Sequence, residues 1–324
     1  MTKAMGLISG GLDSILAAKV ILEQGIEVVG VSFVTPFFGS QGAVRAAQSL
    51  SIPLHILDIT EIHLEMLRRP KHGYGSNMNP CIDCHCLMLR EAGRVMDTEG
   101  GDFLFTGEVL GQRPMSQNKG SLHVVERESG YEGRVLRPLS AKLLPETLPE
   151  QSGKVDRERL LSIQGRSRKR QMELAERYHI KAYLTPAGGC LLTDPGFSRR
   201  LADLFHHQDD VQIRDLELLK IGRHLRFSPA VKVIVGRHAQ DNEGIVRLVA
   251  PGDDLLKVEA FPGPLCLIPN GGSMDDIKKA ASICVRYSDA PVDEMVSVLW
   301  SRNGAEKRIS VRSCPPSLPA ELMI

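Results

Sequence analysis

The sequence contains no run of about 20 uncharged apolar residues, the length that crosses a lipid bilayer. Its first residues also lack the apolar run and cleavage site of a secretory signal. The formal net charge is only +1, so the chain has no strong overall positive field that would attract nucleic acid. These absences predict a cytoplasmic protein with no membrane partner, in which any RNA contact depends on local patches of charge.

Internal repeats and low-complexity tracts are absent as well, and 324 residues are more than one hydrophobic core usually holds. In the first part, short apolar runs alternate with helical patterns. This predicts an α/β fold with a mostly parallel sheet and helices on both faces. After the polar stretch 206–215, several short strands and one helix predict a smaller α+β domain. The predicted domains are residues 1–205 and 206–324.

A pair of glycines marks the first strand-to-helix turn, although both the Walker lysine pattern and the dinucleotide fingerprint are missing there. Adjacent glycines let the backbone approach an anion closely, and the N-terminus of the next helix directs N–H groups at it. Asp13 can hold Mg2+ against phosphate oxygens. The predicted phosphate loop consists of Ser9, Gly10, Gly11, Leu12, Asp13 and Ser14.

Three of the seven cysteines, Cys81, Cys84 and Cys86, stand within six positions of a polar stretch, and Cys190 follows two glycines. In a reducing compartment such a group indicates metal binding or catalysis rather than disulfides. A thiol near a helix N-terminus is expected to have a lowered pKa, and its thiolate attacks electrophiles or binds soft metals. The remaining cysteines are interpreted as buried apolar side chains: Cys266, Cys284 and Cys314.

The string SGGLDS resembles the PP-loop signature of ATP pyrophosphatases, in which the loop grips the pyrophosphate that leaves when ATP adenylates a substrate. The resemblance implies an adenine nucleotide alpha hydrolase-like fold that uses ATP and Mg2+, with Asp13 in a catalytic role. It also places Ser32, Thr106 and Gly107 beside the nucleotide. Glu108 stands where related enzymes often have His, which leaves its role open.

The string Asn-Pro-x-x-x-Cys that ends at Cys84, with a cysteine far downstream, resembles the tRNA thiolases of this group, especially the 2-thiouridine synthases. The resemblance implies Cys84 and Cys190 as catalytic thiols and tRNA and a sulfur donor as partners. It also implies a [4Fe-4S] cluster on Cys81, Cys84 and Cys190, with one iron open for sulfide. Cys86 is an additional thiol, so a closed zinc site of four thiolates stays an alternative.

The strings 235–243 and 261–264 resemble the RNA-binding domain of the NFACT ribosome-quality-control proteins, with His238 in place of the usual Asn. Arg237 and His238 could contact phosphate or hold a turn. Four cations between Arg166 and Arg170 open a helix, where contact with RNA phosphate and a solvated helix face are both open interpretations.

The leading hypothesis is an ATP-dependent tRNA sulfurtransferase that adenylates a base carbonyl and replaces its oxygen with sulfur, forming a thiouridine. A second hypothesis is a PP-loop enzyme that adenylates a small metabolite or a sulfur carrier. A third is a non-catalytic protein that binds ATP and RNA. Release of AMP and pyrophosphate separates the third hypothesis from the others, and stimulation by tRNA separates the first from the second.

Overall fold

The chain folds into two units, Met1–Asp194 and Pro195–Ile324, and the computed structural model describes residues 1–183 and 190–324. The sequence prediction put the division after residue 205. The helix Pro195–His207 lies in the second unit, where its Asp203 forms an ion pair with Arg226. The division between the units therefore precedes this helix.

The first unit contains a five-stranded parallel sheet in the order β3-β2-β1-β4-β5. Its strands are β1 (Lys3–Leu7), β2 (Glu27–Val34), β3 (Leu54–Asp58), β4 (Phe103–Phe105) and β5 (Val135–Leu136). Its helices are α1 (Leu12–Leu22), α2 (Gln41–Leu50), α3 (Thr60–Arg68), α4 (Cys81–Thr98), α5 (Lys119–Ser129), α6 (Leu148–Gln151) and α7 (Lys169–Arg177).

Successive side chains of β1 enter two separate cores, one on each face of the sheet. Ala4 is buried with side chains of α1, α2 and α7, whereas Met5 is buried with side chains of α4. A strand that is buried on both faces is typical of parallel sheets covered by helices. The predicted α/β class, with helices on both faces, is confirmed.

The order of the strands reverses direction between β1 and β4. From β1 the chain runs outward through β2 to β3, and it then returns to form β4 on the other side of β1. The segments that follow β1 and β4 therefore diverge at the carboxyl edge of the sheet, which is where open α/β sheets bind ligands. The phosphate loop follows β1, and Thr106 and Gly107 follow β4.

The second unit has an antiparallel sheet of six strands in the order β11-β10-β8-β9-β7-β6, which confirms the predicted smaller α+β domain. Its strands are β6 (Arg223–Ser228), β7 (Val231–Val235), β8 (Asp254–Val258), β9 (Leu265–Ile268), β10 (Val296–Arg302) and β11 (Ala305–Val311). Its helices are α8 (Pro195–His207), α9 (Ile213–Leu218), α10 (Ala239–Leu248), α11 (Met274–Arg286) and α12 (Ser317–Leu322). Among the helices of residues 1–183 and 190–324, none is both long and apolar enough to cross a membrane.

One predicted loop is partly helical. The polar composition of residues 111–122 predicts a long loop, but α5 begins at Lys119. The side chain of Asn118 accepts a hydrogen bond from the backbone N–H of Ser121 at 2.9 Å and so caps the helix. The loop before α5 is therefore shorter than the sequence indicated.

Candidate nucleotide and thiol site

The phosphate loop depends on close approach of two backbone segments. Gly10 has φ +81°, and a Cβ there would lie 2.2 Å from the carbonyl carbon of Gly42. Only glycine fits such a position. The Ser14 hydroxyl donates a hydrogen bond to the Gly11 carbonyl at 2.8 Å, and the backbone N–H of Gly11 donates to the Ser9 hydroxyl at 3.3 Å. These contacts hold the loop in one shape.

The helix that follows the loop has no side-chain cap. Gly11 is the N-cap residue of α1 and has no side chain to accept the first backbone N–H groups. Uncapped N–H groups and the positive end of the helix dipole favour an anion. Leu12 is buried in the core and anchors this end of the helix. The loop thus fits the phosphates of a nucleotide.

The residue after Thr106 packs directly onto the phosphate loop. A Cβ on Gly107 would lie 2.5 Å from both the Asp13 carbonyl carbon and the Ser14 backbone nitrogen. This contact joins the segment after β4 to the start of α1, and the contact of Thr106 and Gly107 with a nucleotide stays a prediction. Ser32 is buried within β2, and its contact with the nucleotide stays a prediction.

The sequence predicts a helix that follows the clustered cysteines, but helix α4 begins at Cys81, so all three of them are helical. Cys81 and Cys84 are three positions apart and therefore lie on one side of the helix. Burial raises the pKa of both thiols, and for Cys84 the neighbouring Cys190 and Cys81 raise it further. The expected lowering of these pKa values at a helix N-terminus is wrong, because desolvation outweighs the helix dipole.

Cys190 lies within electrostatic range of the same pair. Burial raises its pKa to about 11, Cys81 adds to this effect, and the positive charge of Arg113 opposes it. The neighbouring residue Leu191 donates its backbone N–H to the Phe37 carbonyl at 3.1 Å, which fixes the segment after Cys190. The two glycines that precede Cys190 in the sequence lie outside the described residues. The structure thus groups Cys81, Cys84 and Cys190.

These thiols do not form a metal site as they are placed. Across residues 1–183 and 190–324, no group of three or more His, Cys, Asp or Glu side chains is arranged to hold a metal ion. The [4Fe-4S] cluster on Cys81, Cys84 and Cys190 and the zinc alternative therefore stay predictions of the resemblance. The arrangement instead offers a group of protonated thiols, at least one of which must lose its proton before it can act as a nucleophile.

Cys86 faces a different part of the protein. Two residues along an α-helix correspond to a rotation of about 200°, so Cys86 lies on the opposite side of α4 from Cys84. It is buried in the core that contains Leu89 and Val125. Burial raises its pKa to about 12, and the next largest effect is that of Glu128. This position favours a packing role for Cys86, which the sequence identified only as an additional thiol.

A histidine that the sequence did not single out contacts the second cysteine. His63 Nε2 lies 3.6 Å from Cys84 Sγ, and the ring packs against Phe37 and Phe38 at centroid distances of 5.5 Å. Burial lowers the pKa of His63 to about 4, so the imidazole is neutral near pH 7. A neutral ring can accept the Cys84 thiol proton in a hydrogen bond but offers no positive charge to a thiolate. In the sequence, His63 belongs to no motif and therefore carried no functional signal.

Glu108, whose role the sequence left open, is the centre of a buried ion cluster. Its carboxylate contacts Arg137 Nε at 3.2 Å, His85 Nδ1 at 2.9 Å and the Thr106 hydroxyl at 3.1 Å. Burial opposes ionisation, but the contacts with His85 and Arg137 outweigh it and lower the pKa of Glu108 to about 2. The cluster ties the end of β4 to the cysteine helix, because His85 stands beside Cys84 on α4.

Glu108→Gln is expected to destabilise the fold by roughly 3 kcal/mol near pH 7, because it removes the more deeply buried of the two carboxylates that pair with Arg137 and leaves only Glu126. The pKa of Glu108 is lower in the folded state than in the unfolded state. The stability that ionised Glu108 contributes is therefore fully present above its pKa in the unfolded state, and it is lost as the pH falls toward 2. Urea unfolding at several pH values checks this. The difference in free energy of unfolding between wild type and variant should become smaller below about pH 4.5. The exposed Glu132→Gln serves as control, and a gap independent of pH would contradict the assignment.

Two consecutive residues connect the phosphate loop to the thiols. Gln112 Nε2 donates a hydrogen bond to Asp13 Oδ2 at 2.8 Å. The charge of its neighbour Arg113 opposes the effect of burial on the pKa of Cys81 and of Cys190, so Arg113 lies on the side of the cysteines. The segment after β4 therefore borders both parts of the candidate site.

In the second unit, the residues that carried the NFACT resemblance stabilise a helix terminus. Arg237 Nε donates to Asp241 Oδ2 at 2.7 Å, and His238 Nδ1 accepts the backbone N–H of Asp241 at 3.3 Å as the N-cap of α10. Of the two interpretations of these side chains, the geometry favours holding the turn.

Comparison with known proteins gives two family matches. Residues 1–142 match the family model for thiamine biosynthesis protein (ThiI), and residues 222–318 match the NFACT protein RNA binding domain. A probable tRNA sulfurtransferase of Thermotoga maritima is 32% identical over 121 residues, which are 34% of this chain and 30% of that protein. The chain thus aligns with less than a third of the length of this relative.

Two solved structures are also similar. One is a 4-thiouridine synthetase–RNA complex with bound ATP, at 22% identity and TM-score 0.37, covering 68% of this chain and 52% of that one. The other is the C-terminal part of the fibronectin/fibrinogen-binding protein of Streptococcus suis, at 12% identity and TM-score 0.29, covering 49% and 79%. Through its family matches, the chain is confirmed as similar to the ThiI family in residues 1–142 and to the NFACT RNA-binding domain in residues 222–318.

Proposed function

We propose that the protein is an ATP-dependent tRNA sulfurtransferase that forms a thiouridine. The observation that carries the proposal is the continuity of the site. Gln112 bonds to Asp13 of the phosphate loop, and Arg113 lies on the side of Cys81 and Cys190. A reaction that first activates an oxygen with ATP and then replaces it with sulfur needs phosphate-binding groups and thiols within reach of one atom. The family matches support the same function.

The first step is adenylation. The carbonyl oxygen of the base attacks the α-phosphorus of ATP, and the bond to the β-phosphate breaks, so that pyrophosphate leaves. The uncapped N-terminus of α1 and the glycine backbone bind the departing phosphates. The Asp13 carboxylate is suited to hold Mg2+, which usually combines one or two carboxylates with phosphate oxygens. Oxide is a poor leaving group, whereas AMP is a good one, and this is the reason for the activation.

The second step is sulfur transfer. A cysteine thiolate first takes the outer sulfur of a persulfide on the sulfur donor, which leaves as a thiol. The new persulfide attacks the activated carbon through its outer sulfur, and AMP departs with the original oxygen. A second thiolate then attacks the inner sulfur of the persulfide. This releases the thiocarbonyl base and leaves a cysteine disulfide, which an external thiol reduces. Cys84 and Cys190 are assigned these two roles because Cys190 is near enough to raise the pKa of Cys84 and both are the thiols implied by the resemblance.

The second unit is assigned the binding of RNA. Its match to the NFACT RNA binding domain supports this role. Its three cysteines, Cys266, Cys284 and Cys314, lie close together but are buried in the core of the unit, where a substrate does not reach them. The unit therefore recruits tRNA and performs no chemistry.

A chain that ends at Asp194 is expected to bind tRNA at least about tenfold more weakly than the full chain, because it loses the phosphate contacts of the second unit. Affinity for ATP should stay within about twofold, since the phosphate loop lies entirely in the first unit. Titration of both chains with tRNA at one fixed salt concentration and with ATP checks the prediction. Stabilisation of the shortened chain by ATP shows that it is folded. Unchanged tRNA affinity would assign RNA binding to the first unit instead.

Product analysis tests the proposed function against the two alternatives. The full chain is incubated with ATP, a persulfide donor and either tRNA or no RNA, and nucleotides are separated. The proposal expects AMP and pyrophosphate, with a rate that rises on addition of tRNA. AMP that forms equally well without RNA would favour a small metabolite or a sulfur carrier as acceptor. The absence of AMP, or formation of ADP and phosphate, would contradict an adenylating enzyme.

A further inference from the structure

We propose that Arg168 is a binding residue for the pyrophosphate portion of ATP. Arg168 is the N-cap residue of α7 and is more than 150 positions away from the phosphate loop in the sequence. The inference rests on the proposed use of ATP and adds to it a residue that no sequence motif assigns. It also replaces the two interpretations of this cation that the sequence left open, which were contact with RNA phosphate and a solvated helix face.

The position of the guanidinium carries the inference. Arg168 Nη2 lies 3.9 Å from Asp13 Oδ1, which places the positive charge beside the phosphate loop. Arg168 Nε and Asp13 Oδ1 are both buried and lack a hydrogen-bond partner. Buried polar atoms in proteins are nearly always paired, so a donor and an acceptor that are unpaired side by side indicate a place for a bound polar group. A phosphate oxygen would accept a hydrogen bond from Arg168, and Oδ1 of Asp13 would be available to a Mg2+ ion beside it.

A second residue of α7 points to the same place. Gln171 is fully buried, and its Nε2 donates a hydrogen bond to Gln112 Oε1 at 3.0 Å. Gln112 in turn donates to Asp13. The remaining acceptor of Gln171, its Oε1 atom, is buried without a partner. The Gln171 amide is therefore fully buried, with a partner for its nitrogen and none for its oxygen, and it is linked to Asp13 through Gln112. This is an independent sign that a ligand binds on this side of the phosphate loop.

Electrostatics favours an anion between the two helices. The first turn of α7 contains no acidic residue, and Arg168 forms no side-chain cap. A cation at the positive end of a helix is unfavourable unless an anion lies nearby. The N-terminus of α1 is uncapped as well, and Asp13 is a single negative charge. The pyrophosphate group supplies several negative charges, which match the two helix ends and the guanidinium together.

The neighbouring cation is a matched control. Arg170 is two residues further along α7, its side chain is 76% exposed, and it pairs with Glu173 at 3.0 Å on the surface of the helix. It shares the helix and the charge of Arg168 but does not face the phosphate loop. An effect that depends only on the charge of α7 would appear equally in variants of both residues.

Binding of inorganic pyrophosphate to the full chain tests the inference without requiring turnover. In calorimetric titrations with Mg2+ present, the affinity of Arg168→Gln for pyrophosphate is expected to be about tenfold or more lower than that of the wild type. This is the usual effect of losing a charge-assisted hydrogen bond. Arg168→Lys, which keeps the charge but not the planar fork, should be weakened less. Arg170→Gln should bind within about twofold of wild type. Thermal melting shows whether each variant is folded. If Arg168→Gln does not fold, the affinity of Arg168→Lys for pyrophosphate is used for the test instead.

Equal pyrophosphate affinity of wild type and Arg168→Gln would overturn the inference, and so would an equal loss in Arg170→Gln. A loss of tRNA affinity in Arg168→Gln with unchanged pyrophosphate affinity would show that Arg168 contacts RNA instead. Failure of the proposed function is separate from all of these. If the wild type bound pyrophosphate through Arg168 but formed ADP from ATP, the site would stand and the adenylating reaction would not.

Discussion

Asp13→Asn is expected to abolish AMP formation from ATP, with a fall in rate of at least about a hundredfold. The substitution keeps the shape of the side chain and an oxygen that can accept from Gln112, which donates to Asp13 at 2.8 Å. It removes the negative charge that is assigned to Mg2+ beside the pyrophosphate. The loss should therefore appear as a failure of catalysis in a folded protein. Rates of AMP and pyrophosphate release, measured with tRNA present, check this expectation.

The control for this substitution is Glu65→Gln, which removes one negative charge from an exposed position of α3. Its rate should equal that of the wild type within about twofold, since the charge of an exposed side chain is screened by salt. A melting temperature of Asp13→Asn close to that of the wild type excludes unfolding. An Asp13→Asn protein that still formed AMP at the rate of the wild type would show that this carboxylate does not take part in the reaction.

Cys84→Ala is expected to lower tRNA thiolation by a factor of about a thousand or more, because removal of a nucleophile leaves only binding and activation. Pyrophosphate release in the first turnover should continue, since adenylation precedes the attack of sulfur and the phosphate loop is untouched. Cys190→Ala should behave in the same way. Cys81→Ala should also lose thiolation, because the resemblance implies Cys81 as a ligand of the cluster. Digestion of the tRNA to nucleosides and detection of the thionucleoside measure the effect.

Cys86→Ala is the matched control, because Cys86 lies on the other side of α4 and is packed in the core with Leu89. It should retain thiolation, with a modest loss of stability from the smaller side chain. Iron and sulfide analysis of anaerobically purified protein tests the cluster that the resemblance predicts. Three-cysteine ligation requires iron to be lost in the other three variants and kept in Cys86→Ala. If Cys86→Ala lost thiolation as completely as Cys84→Ala, the assignment of the working thiols would be wrong.

The parts of the site that lie in one short segment could be predicted from the sequence. Ser9–Ser14 combines two glycines, an acid and two hydroxyls at the first strand-to-helix turn. The groups that would bind phosphate are therefore consecutive in the sequence. The α/β class followed from strands and helices that alternate. The start of α4 at Cys81 was not visible, because its N-cap residue is Pro80 and provides no side-chain cap that a pattern would reveal.

The parts that depend on distant residues could not be predicted. Arg168 and Gln171 lie near the phosphate loop only because α7 packs against α1. No pattern in the sequence indicates this contact. The raised pKa values of the thiols result from burial, which a polar stretch of sequence does not indicate. The ion pair of Glu108 with Arg137 joins residues 29 positions apart, so the open role of Glu108 could be answered only by the fold.

The most direct test of the proposed reaction follows the oxygen atom that sulfur replaces. A tRNA whose uridine carbonyl oxygens carry the heavy oxygen isotope is incubated with the full chain, ATP and a sulfur source, and the AMP is analysed by mass spectrometry. Attack of the base oxygen on the α-phosphate predicts that each AMP contains one heavy oxygen and that thionucleoside forms in equal amount. AMP that contains only ordinary oxygen, formed while thionucleoside accumulates, would contradict adenylation of the base.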